Sequence, residues 1–473
     1  MTSKRGEGYN IWRFGWRKGY IFSVGVMFGT DGVRGVANRD LTPLLAFKLG
    51  RAGAHLLARG GAGDYIVIGR DTRASGDMLE AALVAGICSA GVNVLKAGVM
   101  PTPAVAYLAR ELGAAAGVVI SASHNPVEDN GIKFFGPDGY KLLDEKEAEI
   151  EALVIDDCAG VPSPTGGGVG RAQKAKKAAD LYARFALSTV NTGLQGLKVV
   201  VDCANGAAYQ LAPRILRELG AEVYPIFDRP DGVNINSRCG STHPQALMKA
   251  VTEYGADAGL AFDGDADRVL AVDARGQLVD GDQIMVICAR HLKSKGLLAN
   301  NKVVVTVMSN LGLHLAMRES GIEVAQTKVG DRYVLEEMLR NGARFGGEQS
   351  GHIIFLDHST TGDGIVTALQ LLSVMVESGR SLAELASQME RFPQLLENVP
   401  VQDKKKVMES EYLAQAVAAE EARLGGSGRI LVRPSGTEPL VRVMVEGREL
   451  PLLQDIAKKL ANLILKIDRC GGG

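Results

Sequence analysis

Three related mixed α/β domains followed by a smaller α+β domain are the fold class that this sequence predicts. From Met27 onward, short β-branched runs alternate with helical stretches rich in Ala and Leu, a pattern typical of sheets covered by helices. The runs "KVVVDCANG" from Lys198 and "KVVVTVMSN" from Lys302 repeat one outline, which the strand that ends at "GRDTR" shares. After the segment "FPQLLENVPV", two strands stand between two helices, which indicates a different and smaller domain.

Local signals place the individual elements. The first helix is predicted to start at Thr42 and Pro43, an N-cap and first-turn pair. Other predicted elements of the first and last units are strands at 65–68, 118–120, 430–433 and 440–446 and helices at 79–90, 103–112, 409–424 and 452–467. Each α/β unit is expected to place a polar loop at the carboxyl end of a strand, where open α/β sheets bind ligands.

The same pattern divides the chain into five segments. Residues 1–26 are expected to be an extension that is disordered or foreign to the natural protein, because they carry both tryptophans and five basic residues but only one acid. They also lack the sustained apolar centre of a targeting peptide. The four domains are expected at residues 27–187, 188–278, 279–394 and 395–468, which are ordinary domain sizes.

Composition limits the classes of function. With 53 Lys plus Arg against 54 Asp plus Glu, the chain has no large net charge that would attract nucleic acid or an anionic membrane. Its six cysteines form no C-x-x-C pair, which predicts a reducing, cytoplasmic location. No apolar run reaches the roughly 18 residues of a membrane span. We therefore expect neither a nucleic-acid nor a membrane partner.

The stretch "VVISASHNPVEDNGIKFF", residues 118–135, ends an apolar strand in a loop with two serines, a histidine, and an asparagine before a proline. Ser123 is a candidate nucleophile, but a serine needs a base or a charge-neutralised phosphoryl partner before it reacts. An ordinary strand-to-helix turn uses the same residue types. This loop therefore predicts a function only in combination with other motifs.

Three aspartates alternate in "FDGDADR", residues 262–268: Asp263, Asp265 and Asp267. Their oxygens could reach one divalent cation. A calcium EF-hand loop is excluded, because Arg268 stands where that loop needs Gly and Ala274 where it needs Glu. A solvated acidic turn is the other interpretation, yet carboxylates between apolar runs would repel one another without a cation. The motif therefore favours Mg²⁺, which carboxylate oxygens suit.

Two glycine-containing loops could bind phosphate. "LVRPSGTEP", residues 431–439, offers a guanidinium, two hydroxyls and backbone amides at a strand end. A plain hairpin turn explains its Pro, Ser and Gly equally well. "FGTDGVRG", residues 28–35, carries Arg34 and has the same ambiguity.

A fifth loop, "GGEQSGH" at residues 346–352, offers an acceptor and a donor suited to sugar hydroxyls or an amine. The acceptor is Glu348 and the donor is Ser350. His352 is a candidate general acid or base, since an unperturbed imidazole titrates near neutral pH. A surface loop with a solvated Glu is the alternative.

These five motifs, in this order, resemble those of the α-D-phosphohexomutase superfamily over nearly the whole chain after residue 26. The combination of "SASHNP", "DGDADR" and "RPSGTEP" is very specific for it. Within the superfamily, "NINSRCGSTH", "TKVGDRYV" and the Gln349 form of the fifth loop are most similar to the phosphoglucosamine mutases. Phosphomannomutase/phosphoglucomutase members typically have Met at the position of Gln349 and His at that of Asp331.

The resemblance implies four domains around a central cleft, with one critical loop from each. It implies that Ser123 is phosphorylated and contacts Mg²⁺ together with the three aspartates, and that Arg268 contacts the phosphate. The implied catalytic set, with acid or base duties left open, is Ser123, His124, Lys133, Arg34 and His352. The implied substrate-binding set is Glu348 and Ser350 for the sugar and Arg433, Ser435, Gly436 and Thr437 for its distal phosphate.

The implied reaction interconverts D-glucosamine 6-phosphate and α-D-glucosamine 1-phosphate through a bound 1,6-bisphosphate, and feeds UDP-N-acetylglucosamine and cell-wall precursor synthesis. Phosphomannomutase or phosphoglucomutase activity in the same superfamily is the alternative. The resemblance also implies one Mg²⁺ per chain and activation by glucosamine 1,6-bisphosphate or another hexose bisphosphate. The expected partner is a small-molecule sugar phosphate, and a homodimer is common in the superfamily.

Overall fold

The computed structural model describes residues 27–29, 31–58, 64–425, 428–435 and 438–469. The predicted extension at residues 1–26 and two residues of the phosphate loop, Gly436 and Thr437, lie outside this part of the chain. Four sheets follow one another in chain order, three of them mixed and the last antiparallel. The predicted fold class, three mixed α/β domains and a smaller α+β domain, is confirmed. The exact domain boundaries stay a prediction.

The first sheet has seven strands in the order β1-β2-β6-β5-β3-β4-β7. The strands are β1 Phe28–Gly29, β2 Gly32–Val36, β3 Tyr65–Arg70, β4 Asn93–Val99, β5 Ala116–Ile120, β6 Asp129–Phe135 and β7 Ala172–Lys174. The helices are α1 Pro43–Leu57, α2 Ser75–Ser89, α3 Thr102–Glu111, α4 Asp144–Ile155 and α5 Ala178–Ser188. The Thr42 side chain accepts a hydrogen bond from the Leu45 backbone N–H (3.1 Å), so the predicted N-cap of α1 is confirmed.

The second sheet has the order β12-β11-β10-β8-β9 and the third β14-β13-β15-β16. The strands are β8 Lys198–Asp202, β9 Glu222–Ile226, β10 Ala258–Phe262, β11 Val269–Asp273, β12 Leu278–Val279, β13 Lys302–Thr306, β14 Glu323–Thr327, β15 Phe345–Gly347 and β16 Ile353–Phe355. The helices are α6 Leu211–Glu218, α7 Gln245–Tyr254, α8 Gly281–Ser294, α9 Leu311–Glu319, α10 Asp331–Asn341, α11 Gly364–Ser378 and α12 Leu382–Ala386.

One four-stranded unit recurs in all three α/β sheets. Its central strand is β3, β8 or β13, the three strands that share one outline in the sequence, and each pairs in parallel with two neighbours. The second of these neighbours, β5, β10 or β15, then pairs with the antiparallel strand that follows it in the chain. The connection between those two strands is therefore the same structural position in each domain. It carries residues 121–128, 263–268 and 348–352.

The fourth sheet is antiparallel, in the order β17-β19-β18. Its elements are β17 Gln394–Pro400, β18 Gly428–Pro434, β19 Leu440–Gly447, α13 Lys404–Met408, α14 Glu411–Arg423 and α15 Leu450–Arg469. Two of the three strands match the predicted ones. The edge strand β17 was not predicted, because its sequence, "QLLENVP", alternates weakly and ends in a proline. A proline is tolerated there because one side of an edge strand needs no ladder hydrogen bond.

One continuous apolar core runs through the first three domains and includes the central-strand residues Val67, Val201 and Val305. The fourth domain has an apolar core of its own. The first three domains are therefore held against one another by buried apolar surface, which fixes the positions of their loops.

None of the described helices is long and apolar enough to cross a membrane. The five cysteines in the described part of the chain are all free thiols.

A buried hydrogen bond joins α5 to the N-terminus of α11. Tyr182 on α5 is fully buried, and its hydroxyl lies 2.9 and 3.0 Å from the two carboxylate oxygens of Asp363, the N-cap residue of α11. Replacing Tyr182 with Phe is expected to destabilise the fold by about 1–3 kcal/mol, because a buried carboxylate loses a donor. Scanning calorimetry should show a lower melting temperature. Tyr412→Phe, at a tyrosine that is 77% exposed, is the matched control and should leave it unchanged.

Candidate active site

Ser123 is held in a strained backbone conformation and is buried. Its φ is +51°, in the left-handed region that non-glycine residues rarely adopt, and its exposed fraction is 1%. Its backbone N–H donates to the Ser121 hydroxyl (2.9 Å), and its own hydroxyl donates to Oδ2 of Asp263. Nδ1 of His124 lies 3.4 Å from the Ser123 hydroxyl oxygen. The predicted nucleophile therefore contacts the predicted metal-binding loop.

Two side chains that sequence reasoning did not assign to the site hold this loop in place. The fully buried guanidinium of Arg73 donates to the backbone carbonyls of Ser123 (3.0 Å) and Asn125 (2.9 Å). The side-chain amide of Asn236 donates to the same two carbonyls, at 2.8 and 3.1 Å. Asp71 fixes Arg73 through a 2.9 Å bond to Nε. The motifs "GRDTR" and "NINSRCGSTH" were visible signals, but their partners lie far away in the sequence.

The three aspartates of the second domain form a buried cluster. Asp263, Asp265 and Asp267 each offer an oxygen, and these oxygens lie within 4.8 Å of one another. One oxygen of Asp265 accepts from the Thr102 hydroxyl (2.6 Å) and the Lys133 ammonium (3.0 Å). The other oxygen of Asp265 and Oδ1 of Asp267 are buried and have no hydrogen-bond partner in the described part of the chain.

This arrangement fits a divalent metal ion. Burial raises the pKa of Asp263 well above its usual value, and the carboxylates of Asp267 and Asp265 raise it further. Three buried carboxylates with unpartnered oxygens are unfavourable unless a cation compensates them. The donor set of hard oxygens suits Mg²⁺ or a similar ion.

The glycine of the metal-binding loop allows this loop to approach the serine loop. A Cβ atom on Gly264 would collide with the carbonyl oxygen of Ser123 and lie 2.9 Å from the Asn236 side-chain nitrogen. The close backbone approach, rather than metal binding itself, explains why a glycine stands between the first two aspartates.

Arg268 and His124 border the triad. The Arg268 backbone N–H donates to Asp263 (3.2 Å), and its Nε lies 3.7 Å from Oδ1 of Asp267. Burial and then the Arg268 charge lower the pKa of His124 to about 4, so its imidazole is neutral at neutral pH. The site thus places a neutral imidazole beside Ser123 and a guanidinium beside Asp267.

Lys133 and His352 are both engaged with carboxylates. The Lys133 ammonium lies between Oδ2 of Asp265 (3.0 Å) and Oδ2 of Asp31 (2.8 Å). Burial opposes its charge, but these carboxylates outweigh burial and raise the pKa of Lys133 above its usual value. Nδ1 of His352 lies 3.5 Å from Asp267, and Nε2 accepts from the Gly362 backbone N–H (3.1 Å). This geometry favours charge balance and orientation over proton transfer for both residues.

The remaining predicted residue of the first domain, Arg34, forms an ion pair with Asp31. It lies on β2, opposite Gly131 of β6, the strand that carries Lys133.

In the third domain, Glu348 accepts a hydrogen bond from the Gly330 backbone N–H (3.0 Å).

The sugar-loop residues lie beside the charges of the second domain. The Ser350 hydroxyl lies 3.4 Å from Glu348, and both side chains are half-buried. Burial lowers the pKa values of Arg268 and His352, but nearby carboxylates outweigh burial and raise both. Glu348 is one of these carboxylates, although other carboxylates contribute more. Glu348 is therefore close to the triad and still accessible to a ligand.

The phosphate loop of the fourth domain stands apart from the other site residues. Arg433, at the end of β18, is half-buried and makes no hydrogen bond or ion pair within the described residues. The buried Ser435 accepts from the Glu438 backbone N–H (3.2 Å) through its hydroxyl and from Lys404 (2.8 Å) through its carbonyl. Gly436 and Thr437 lie outside the described residues. The strands before and after the loop, β18 and β19, pair antiparallel, and Arg433 is a half-buried cation without a partner among the described residues.

Family models match four successive parts of the chain, each described as a phosphoglucomutase/phosphomannomutase domain. Domain I matches residues 25–157, domain II residues 179–276, domain III residues 280–392 and the C-terminal domain residues 396–463. The chain belongs to the phosphoglucomutase/phosphomannomutase family. The resemblance predicted from the loop motifs is thereby confirmed.

Relatives within this family are similar to the chain over nearly its whole length. A phosphoglucosamine mutase of Pelotomaculum thermopropionicum is 75% identical over 445 residues, which cover 94% of this chain and 100% of that protein. A phosphoglucosamine mutase of Desulforamulus reducens is 68% identical over 438 residues, which cover 93% and 99%.

Solved structures of phosphoglucomutase/phosphomannomutase proteins share the fold. A family protein of Burkholderia thailandensis superposes with a TM-score of 0.78 at 27% identity, covering 96% of this chain and 99% of that one. N-acetylphosphoglucosamine mutase of Aspergillus fumigatus, solved with GlcNAc-6P and magnesium, has a TM-score of 0.68 at 19% identity, covering 93% and 96%. The latter likeness shows the fold alone.

Replacing Asp263 with Asn is expected to raise the melting temperature of the metal-free protein, since one of three mutually repelling buried carboxylates loses its charge. The same change should diminish the rise in melting temperature that MgCl₂ gives the unaltered protein, since a ligand is lost. Scanning fluorimetry after dialysis against EDTA measures the melting temperature of the metal-free protein, and the same measurement with added MgCl₂ gives the rise. The exposed Asp156→Asn is the control. A lower melting temperature of the metal-free Asp263→Asn protein would contradict the repulsion argument.

Proposed function

We propose that the chain interconverts D-glucosamine 6-phosphate and α-D-glucosamine 1-phosphate through a phosphoserine at Ser123. The observation that carries this proposal is the contact between the Ser123 hydroxyl and Asp263 of the buried aspartate cluster. A hydroxyl held on a metal-binding cluster is placed to carry a phosphoryl group whose charge a cation balances. The similarity to proteins named phosphoglucosamine mutase supports the choice of sugar.

In the proposed first step, O1 of glucosamine 6-phosphate attacks the phosphorus atom on Ser123. The new O1–P bond forms as the Oγ–P bond breaks, and O1 loses its proton, so that a bound glucosamine 1,6-bisphosphate results. Lys133 and Arg268 lie at the triad, where their charges would stabilise the equatorial phosphoryl oxygens. Because Lys133 and His352 are engaged with carboxylates, we assign the O1 proton to a group next to Ser123, such as the neutral His124.

In the second step the bisphosphate turns round, and the phosphoryl group on O6 returns to Ser123. The O6–P bond breaks, O6 regains a proton, and glucosamine 1-phosphate is released. Both orientations need one transfer site and one distal phosphate site. We place the distal site at Arg433 and Ser435, together with Gly436 and Thr437, since Arg433 has no described partner to neutralise it. Movement of the fourth domain would give the intermediate room to turn.

We propose Mg²⁺ as the ion of the triad, held by Asp263, Asp265, Asp267 and the phosphate on Ser123. When bound, the ion supplies electrostatic stabilisation of charge on the transferring phosphoryl group. The unpartnered buried oxygens of Asp265 and Asp267 support this assignment. One ion per chain is proposed, with glucosamine 1,6-bisphosphate or another hexose bisphosphate as the activator that loads Ser123.

The sugar loop is proposed to recognise the hexose through Glu348 and Ser350. Both side chains are half-buried, and they are 3.4 Å apart, so one ligand group can contact both. Phosphomannomutase or phosphoglucomutase activity is the second candidate, but the near full-length relatives named phosphoglucosamine mutase favour the first. We further propose a homodimer in the cytoplasm, with the product directed to UDP-N-acetylglucosamine and cell-wall precursor synthesis.

Ser123→Ala is expected to lower kcat by at least roughly 1,000-fold, since the phosphoryl carrier is removed. A coupled assay with MgCl₂ and a hexose 1,6-bisphosphate primer would compare glucosamine 6-phosphate with mannose 1-phosphate and glucose 1-phosphate. The amino sugar should be preferred. Ser373→Ala, at a buried serine of α11, is the control and should retain turnover. Preference for mannose or glucose would reject the proposed sugar, and full activity of Ser123→Ala would reject the phosphoserine.

Arg433→Gln is expected to reduce kcat/KM by about 10–100-fold, mainly through a higher KM, because a charge-assisted phosphate contact worth about 1.5–3 kcal/mol is lost. Steady-state kinetics with the preferred sugar phosphate measure the change. Arg448→Gln, at an arginine that is 60% exposed and pairs with Glu390, is the matched control. An unchanged KM for Arg433→Gln would exclude Arg433 from the distal phosphate site.

A further inference from the structure

A ring of charged and polar side chains begins and ends at the metal-binding aspartates. From Asp265 it passes to Lys133 (3.0 Å) and then to Asp31 (2.8 Å). Asp31 also binds Lys141, at 2.6 Å through its other oxygen, and Lys141 forms an ion pair with Asp331. The ring then continues through His352 and returns to the triad.

The closing half of the ring runs through the sugar loop. Oδ2 of Asp331 lies 3.7 Å from Nε2 of His352, and Nδ1 of His352 lies 3.5 Å from Oδ2 of Asp267. Asp331 is the first residue of α10, where the helix dipole favours a negative charge. Asp265 and Asp267 both belong to the aspartate triad, so the chain of contacts closes on the metal-binding cluster.

The ring crosses each interface among the first three domains once. Lys133 of β6 reaches the second domain at Asp265, and Lys141, six residues past the end of β6, reaches the third domain at Asp331. His352 of the third domain reaches the second at Asp267. A displacement of any one domain would therefore break a contact of the ring.

The charges of the ring are buried enough to interact strongly. The side chains of Lys141, Asp31 and Asp331 are 16%, 17% and 17% exposed, and the other members are more deeply buried. Burial would raise the pKa of Asp31, but the cations of Lys133 and Lys141 outweigh burial and hold it well below its usual value. The ionised forms are thus mutually stabilised, and removal of one cation leaves buried anions without compensation.

We propose that Lys141 and Asp31 are positioning residues, which hold Lys133 and His352 against the metal-binding aspartates by tying the three domains into this ring. Neither Lys141 nor Asp31 contacts a residue of the triad itself in the described structure. Without Lys141, Asp31 has only Lys133 and Arg34 as cations and competes more strongly with Asp265 for Lys133. Asp331 likewise loses its cation, so that an uncompensated carboxylate stands 3.7 Å from the accepting Nε2 of His352 and displaces that ring from its position against Asp267. The proposal deepens the mutase function proposed above, on which its kinetic test rests.

Lys141→Met is the central variant. We expect kcat to fall roughly 10–100-fold, since misplacing a group by about 1 Å can cost that much. KM for the sugar phosphate should change less than about threefold, since Lys141 is not among the proposed substrate contacts. Lys141→Arg should restore most of the lost kcat, because the cation is retained. A cavity of about 390 Å³ lined by Lys141, Asp331 and His352 leaves room for the larger guanidinium.

Hydrogen exchange gives a second readout that does not depend on turnover. The Gly362 backbone N–H donates to Nε2 of His352, so its exchange rate reports whether His352 keeps its orientation. Lys141→Met should speed exchange in the peptide that contains Gly362. A merely local structural role would speed exchange only around residues 136–143 and the start of α10, and would leave kcat per folded molecule unchanged.

Two control variants separate the ring from its surroundings. Thr360→Ala removes a hydrogen bond to the Gly139 carbonyl (2.5 Å), which joins the chain segment before Lys141 to the loop before α11 without using a charge of the ring. Lys146→Met removes a lysine that pairs with Glu149 at the surface. Both controls should keep kcat within about twofold of the unaltered protein.

A double variant tests whether the ring acts as a unit. Lys141→Met combined with Asp331→Asn should lose no more kcat than the worse single variant, whereas independent roles would multiply the two losses. The proposal is overturned if Lys141→Met keeps kcat and Gly362 exchange unchanged, or if the losses multiply. Should the unaltered protein turn over no hexose phosphate, the proposed function fails. Gly362 exchange would then still decide the ring: faster exchange in Lys141→Met but not in Lys146→Met supports it, and unchanged exchange in Lys141→Met overturns it.

Discussion

Three carboxylates buried within 4.8 Å of one another are the physical constraint on which this structure depends. Such a cluster repels itself, and nearly every ionisable group around it can be understood as a response to that repulsion. Lys133, Arg268 and His352 supply positive or proton-donating groups, and Thr102 donates to Asp265 from another domain. One oxygen of Asp265 and one of Asp267 still have no hydrogen-bond partner among the described residues, and these oxygens could bind a cation. The aspartates, with their cationic neighbours, therefore lie next to the Ser123 hydroxyl, where a phosphoryl group would need its charge balanced.

Repetition of one structural unit explains how a single chain assembles these groups. The same strand-to-strand connection carries Ser123 in the first domain, the aspartates in the second and Glu348 in the third. Three copies of one loop position therefore carry the proposed phosphoryl carrier, the aspartate cluster and the proposed sugar-binding pair. The shared apolar core fixes the three copies relative to one another, and the ionic contacts refine their alignment at the level of individual atoms.

The fourth domain is attached in a different way. Its core is separate, and polar contacts link it to the third domain: the fully buried Glu446 accepts from the Leu311 backbone N–H of α9 (2.9 Å). Within the fourth sheet, Glu446 also accepts from Arg429 (2.5 Å) and Gln394 (3.0 Å). Arg429 in turn donates to the Val307 carbonyl (3.1 Å). These hydrogen bonds connect the fourth domain to the third outside the apolar core that the first three domains share.

The sequence by itself determined several helices and strands of the first and last units, the three equivalent central strands, the Ser123 loop and the aspartate triad. Periodicity, capping residues and charge spacing are local properties, and they can be recognised within a few residues. The tertiary structure alone decided that Ser123 meets Asp263 across 140 positions, that Arg73 and Asn236 hold the serine loop, and that carboxylates engage Lys133 and His352. It also paired β17 with β19, whose hydrogen bonds compensate for weak local signals. Such contacts depend on how distant segments pack together, and no local pattern encodes that packing.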